Sequence, residues 1–210
     1  MLGKAKVFEK TKKYDQALET LSEIAIQNQD FLPALLEKTK IHMVNGDWDQ
    51  AMESLNKVLG KDRNNVEGLR IYAFYYLTRE SDIEYVCEKL DELTAAMRQN
   101  EGMNGDLFYN MARLFARYCG RRQAIIEKTE VMLQEAINLQ PENADYHCEL
   151  AFQKCMTGDY SQSYEIYQKA SQIDQTNQSP VYGMIYCKIK QDQLEDAEQQ
   201  LEFLMEISET

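Results

Sequence analysis

Proline and glycine are scarce: the 210-residue chain holds 3 and 9 of them, which leaves few of the tight reversals that sheets need. Leu, Glu, Gln, Lys and Ala are frequent instead, and all are good helix formers, so the sequence predicts an all-α chain. Histidine occurs only as His42 and His147, far apart in the chain, and both read as satisfied or partly exposed structural residues. Zinc-protease motifs, glycine-rich phosphate loops, nucleophile elbows and kinase signatures are missing. Acidic neighbours such as Glu195 and Asp196 read as solvated helix surface. No enzyme, metal or cofactor is expected.

Cysteine occurs five times (Cys87, Cys119, Cys148, Cys155, Cys187), an odd count with no C-x-x-C spacing, which excludes a secreted disulfide framework and a zinc ribbon. These thiols are expected as small buried groups in a reducing compartment. Long apolar runs are also lacking. The longest, Ile71 to Leu77, is seven residues, against the roughly 18 that a spanning helix requires. The first residues carry neither an apolar signal core nor a glycine at the second position. Positive charge is in deficit, with 23 Lys and Arg against 35 Asp and Glu and a net charge of −12. Such a surface disfavours nucleic acid and anionic membrane alike. With 44% apolar and 28% charged residues, the chain reads as a cytosolic globular protein of one or two domains.

Internal repetition is what the chain has in abundance. Tyr14, Ala17, Leu21 and Ile24 return 34 residues later as Trp48, Ala51, Leu55 and Val58. The pattern recurs at Tyr160, Ser163, Tyr167 and Ala170, and 34 residues further at Leu194, Ala197, Leu201 and Leu204. A preceding helix in each copy carries its own periodic set, as in Leu35, Lys38, Thr39 and His42 or His147, Leu150, Ala151 and Lys154, whose apolar members recur at i, i+3 and i+4. Asn45-Gly46-Asp47 and Thr157-Gly158-Asp159 are read as turns in which Gly takes a left-handed C-cap and Asp caps the next helix. Ala51, Ser163 and Ala197 are small because the two helices of a unit must cross closely there.

These matches predict a truncated repeat at 1–31, followed by repeats at 32–65, 66–104, 105–143, 144–177 and 178–210, in a single solenoid. The 66–104 repeat is read with one extra residue in its inter-helix turn and a loop at Asn100 to Gly105. The 105–143 repeat carries five extra residues, placed at the turn around Cys119 to Glu127. A cut first repeat and no polar capping helix after the last predict a piece of a longer array.

A 34-residue period with a small residue, an aromatic three before it and apolar residues four and seven after it resembles the tetratricopeptide repeat. That resemblance implies a right-handed superhelical solenoid of antiparallel helix pairs. Two segments carry a narrower likeness: Leu194 to Leu204, reading LEDAEQQLEFL, and Leu114 to Gln123, reading LFARYCGRRQ, with Thr129 beyond. They resemble the tetratricopeptide repeat protein 21 family, the large repeat subunit of intraflagellar transport complex A. The resemblance implies a scaffold at the cilium or flagellum and basal body, on the cytoplasmic side. Its role there would be retrograde transport and entry of membrane cargo, with other complex A subunits as partners.

In the family's geometry the first helix of each pair lines a concave groove. Phe74, Phe152 and Tyr186 fall at ninth positions, with Tyr109 and Tyr182 at fifth positions, where rings anchor an acidic or helical peptide or else pack between adjacent repeats. Arg113, Arg117, Arg121 and Arg122 form a local basic exception, suited to an acidic partner or to pairing with nearby Glu. A chaperone-tail clamp needs Asn at the ninth position. Lys6, Lys40, Phe74, Arg113, Phe152 and Tyr186 stand there, which argues against it. A generic repeat adaptor or co-chaperone binding a peptide in the groove is the alternative.

Overall fold

The computed structural model describes residues 1–28, 30–80 and 82–208. Among them no strand occurs. The helices are α1 (Leu2–Lys10), α2 (Tyr14–Gln27), α3 (Leu32–Asn45), α4 (Trp48–Lys61), α5 (Val66–Tyr75), α6 (Ile83–Glu101), α7 (Gly105–Tyr118), α8 (Gln123–Leu139), α9 (Ala144–Thr157), α10 (Tyr160–Ile173), α11 (Ser179–Lys190) and α12 (Leu194–Ser208). The chain packs as two compact units, Met1–Tyr75 and Tyr76–Thr210. Glu209 and Thr210, the end of the expected 178–210 repeat, lie outside the described residues.

Five hairpins turn on one backbone slot two residues before their second helix, the residue taking positive φ. Gly46 and Gly158 occupy that slot at φ 80° and 87°, where a residue without Cβ is unstrained. The same slot holds Lys12, Arg121 and Asp192 at φ near 60° in other hairpins, so there the repeat imposes a left-handed conformation on side chains that disfavour it. Asp159 caps α10 as expected, accepting from the Gln162 N–H at 3.1 Å. Asp47 does not cap α4 with its side chain; its carboxylate stands 3.7 Å from Nδ1 of His42 instead. His42 is itself buried with neither ring nitrogen hydrogen-bonded, contrary to the reading of a satisfied or partly exposed residue. His147 meets that reading, with Nε2 2.8 Å from the Pro141 carbonyl.

Two irregularities differ from the sequence reading. The extra residue of the 66–104 repeat does not lengthen a turn: the chain runs from α5 into a π-helical segment at Tyr76–Glu80, which absorbs an added residue within the helix. α6 then spans 19 residues and includes Asn100 and Glu101, so the loop expected to begin at Asn100 is only 102–104. The five-residue insertion in the 105–143 repeat is mostly helical. α8 has 17 residues where α4 and α10 have 14, and the turn 119–122 is two residues longer than its counterparts. The reason is apolar burial: Ile125 and Ile126, at the start of the lengthened helix, are fully buried.

In the first unit Ala5, Ala17, Leu21, Ile24, Ala34 and Ile41 form one core cluster. In the second, Phe108, Phe115, Met132, Leu133 and Tyr146 are fully buried. The small crossing residues Ala51 and Ser163 have essentially no exposed surface, and Ala197 has 4%. The Ser163 hydroxyl donates to the Ala151 carbonyl at 2.7 Å, which measures how closely α9 and α10 approach. A second close approach occurs at Gly183 on α11, where a methyl group would overlap the Tyr167 ring. Gly183→Ala should therefore destabilise the chain by about 2 kcal/mol in thermal or urea melts. Tyr167→Leu in the same background should recover part of that loss. An unchanged melting temperature for Gly183→Ala would contradict this packing.

Candidate functional site

The expected site residues fall into separate groups. In the second unit, Arg113 and Arg117 are one helical turn apart on α7 and share a face. Arg113 is exposed, with its guanidinium 6.0 Å over the Tyr109 ring and 3.4 Å from its hydroxyl. Tyr109 in turn lies against Tyr146, with ring centroids 5.1 Å apart. The Tyr146 hydroxyl donates to Asp106 at 2.7 Å. Burial and that carboxylate push the Tyr146 phenol well above the usual tyrosine range, so it remains a hydrogen-bond donor.

Arg117 is committed within the chain. Its two terminal nitrogens donate to both oxygens of Glu149 at 2.9 and 2.7 Å, and its guanidinium lies 4.1 Å over the Phe152 ring. Glu149 is 5% exposed and also accepts from Gln153 Nε2 at 3.0 Å. Gln153 Oε1 accepts from the Thr129 hydroxyl at 2.8 Å. A continuous polar path thus runs from α7 through α9 to the crossing residue of α8. The sequence reading missed it. The available signal was Glu149 and Gln153 four apart on a helix, beside residues of the apolar stripe.

Phe152 is 38% exposed, so Arg117 covers one face of its ring and leaves the rest to solvent. Tyr186 on α11 is 43% exposed, edge-on to Tyr160 at 6.4 Å, with the Lys190 ammonium 5.5 Å from its ring. Arg121 is exposed and Arg122 half-buried, and among the described residues neither has an ionic partner. The α7 helix ends at Tyr118, so these two arginines do not continue the Arg113–Arg117 face. Phe74 is half-buried in the first unit. That unit carries its own first-helix charge ladder: Lys40 contacts Glu37 at 3.7 Å and Glu67 at 2.9 Å, and Glu67 accepts from Arg70 at 2.7 and 2.8 Å. Among the described residues no cluster of His, Cys, Asp and Glu is arranged to hold a metal. No helix among them is long and apolar enough to cross a membrane.

Paired helices with polar and aromatic side chains displayed on their first members define a helical-repeat protein of the tetratricopeptide type. Two family descriptions match the sequence: the tetratricopeptide repeat protein 21 second ARM domain over residues 88–210, and the tetratricopeptide repeat protein 21 N-terminal ARM repeat over residues 1–52. The chain belongs to the tetratricopeptide repeat protein 21 family. It is 39% identical to human tetratricopeptide repeat protein 21B over 210 residues, all of this chain but 16% of that relative. Among solved structures it is similar to PilW, a type IV pilus biogenesis factor, with TM-score 0.61, 16% identity, and 93% of this chain and 86% of that one covered. It is also similar to YrrB, a tetratricopeptide protein with an unusual peptide-binding site, with TM-score 0.56, 14% identity, and coverage of 88% and 90%. At those identities the two structures speak for the fold alone.

Two predictions follow the geometry. Arg117→Met leaves the buried Glu149 charge without its cation and should destabilise the chain by about 1 to 2 kcal/mol, less than a fully buried pair because Arg117 is partly exposed. Glu149→Gln in that background should restore most of the loss in chemical melts. Glu67 gives a pH signature. Burial pushes its carboxyl up, but hydrogen bonds from Arg70 and Lys40 outweigh this and hold it below the usual glutamate value. A lowered folded-state value means the contribution is present above the ordinary glutamate range and lost as pH falls through it. Stability should therefore drop on acidification below about pH 4.5, and Glu67→Gln should flatten that part of the profile.

Proposed function

We propose that this chain is a non-catalytic docking segment of a subunit of intraflagellar transport complex A. In this reading the parent protein acts at the cytoplasmic side of the cilium and basal body, in retrograde transport and in admitting membrane cargo. Support comes from membership of the tetratricopeptide repeat protein 21 family together with a surface suited to acidic partner segments. The carrying observation is that Arg113, Arg121 and Arg122 have no ionic partner among the described residues, in a chain whose net charge is −12. With carboxylates in such surplus, a guanidinium left unpaired keeps its full capacity for bidentate recognition of an incoming carboxylate. Exposed Phe152 and Tyr186 supply ring surface on neighbouring first helices. The partners are then other complex A subunits, engaged through acidic or helical segments.

The test is charge reversal. Arg121→Glu with Arg122→Glu should lower binding to purified complex A subunits about tenfold or more, with an unchanged circular dichroism spectrum. Binding by the unsubstituted chain should weaken as salt rises, as exposed charge pairs do. Binding unaltered by the reversal would remove these arginines from the interface and leave Phe152 and Tyr186 as its candidates. Capture of heat-shock chaperone tails in place of complex A subunits would favour a generic adaptor.

A further inference from the structure

The second unit contains a sulfur contact that plays no part in the docking surface. Cys155 lies in the last turn of α9 and Cys187 near the end of α11, and their Sγ atoms are 3.5 Å apart. Both touch the Ser163 hydroxyl, at 3.0 and 3.4 Å. That hydroxyl has already given its proton to the Ala151 carbonyl, so it faces the two sulfurs with lone pairs and accepts from a thiol. Ala151 and Tyr167 close the site from the core side. Cys187 is fully buried, while Cys155 is only half-buried and so open to solvent on one side.

We propose that Cys155 and Cys187 form a reversible modification site, a disulfide made by exchange with a small-molecule disulfide such as oxidised glutathione, which links the first helices of two adjacent repeats. A disulfide needs its sulfurs at about 2.0 Å, so they must approach by about 1.5 Å between two helices that already touch. The pair is also chemically prepared. Cys187 is pushed down to about 7, chiefly because Cys155 donates a hydrogen bond to its sulfur once it ionises, and Cys155 is pushed up by that same hydrogen bond and by burial. The charge of the monoanion rests mainly on Cys187, and transfer of the shared proton across the 3.5 Å contact supplies the thiolate at the accessible Cys155.

The exchange balances in two steps. The Cys155 thiolate attacks one sulfur of glutathione disulfide; a Cys155–glutathione bond forms, the glutathione S–S bond breaks, and the departing glutathione thiolate takes the Cys187 proton. The Cys187 thiolate then attacks the Cys155 sulfur and expels the second glutathione thiolate, which takes up the proton the pair released first. Two protein thiols and one glutathione disulfide become one protein disulfide and two glutathione thiols. The other cysteines are not so placed. Burial pushes the Cys148 thiol up to about 11, and Cys148 lies two helical turns from Cys155. Cys119 is buried and donates to the Ala116 carbonyl.

The experiment uses the unsubstituted folded chain. It is incubated with glutathione disulfide, alkylated, unfolded, alkylated with a second reagent, digested and mapped by mass spectrometry. The expected product is a Cys155–Cys187 linked peptide, with Cys87, Cys119 and Cys148 recovered as alkylated thiols. Cys187→Ser should arrest the reaction as a Cys155–glutathione mixed disulfide. Cys155→Ser should leave Cys187 unmodified, because no accessible partner remains. A stable mixed disulfide on Cys155 of the unsubstituted chain with Cys187 still a free thiol would overturn the proposal, as would comparable yields of links to Cys148. Because the mapping needs neither variant nor binding partner, its outcome is independent of the docking reading.

Discussion

Two helices joined by a short turn pack closely when the residue at their crossing is small, and this condition recurs in several of the hairpins. Ala17 and Ala51 meet it in the first unit with side chains that are fully enclosed. In the second unit Ala197 meets it with a methyl group, and Thr129 and Ser163 meet it with hydroxyls that are fully enclosed. A buried hydroxyl must find a partner or lose the stabilisation that burial offers. Ser163 finds the Ala151 carbonyl and then receives the two thiols; Thr129 finds Gln153, through which Glu149 and Arg117 are organised. The polar features that distinguish the second unit therefore grow from the slot that sets helix spacing.

What the sequence made legible is what repeats. The 34-residue period, the small crossing residues and the glycine slots at Gly46 and Gly158 are local patterns seen several times, so each copy reinforces the others. The irregular repeats were harder because insertion arithmetic gives only a count. Five extra residues between Phe115 and Thr129 can lengthen a turn or a helix. Burial decided it, since Ile125 and Ile126 gain more from entering the core than from extending a loop. The added residue after Tyr75 has the same logic: a run of apolar and aromatic residues through Leu77 favours a wider helical turn over an exposed loop. Asp47 shows the reverse error. Its turn sequence matches that of Asp159, yet its carboxylate lies toward a buried His42 that the other hairpin lacks, and it forms no cap.

The candidate site was legible as a face, not as a set of bonds. Helical spacing put Arg113 and Arg117 together and placed aromatic rings on first helices. It could not assign partners, because those lie in the next repeat. Arg117 and Glu149 are 32 residues apart, and Cys155 and Cys187 are separated by the same distance. For the cysteines the interval falls just short of the 34-residue period, whereas Arg117 and Glu149 bridge the repeat that is lengthened to 39 residues, so their interval falls seven short of the local spacing. Neither interval nominates its contact among all other pairs with the same interval.

The surplus of acid decides how the remaining cations should be read. In a chain with 35 carboxylates and 23 cations, an arginine near the surface has ready internal partners, and Arg117, Arg70 and Arg98 have each taken one. Pairing inside a fold that is already ordered costs little additional side-chain entropy, so it should be the default for any guanidinium within reach of a carboxylate. Arg121 and Arg122 depart from it because of where the insertion puts them. The turn holds Arg121 at positive φ, and helix α7 has ended before either residue, so neither can lie back along α7 toward the Glu149 side. Their lack of an ionic partner among the described residues is thus a consequence of the backbone path. The turn that leads into the lengthened α8 leaves Arg121 exposed and Arg122 half-buried, neither with an ionic partner among the described residues.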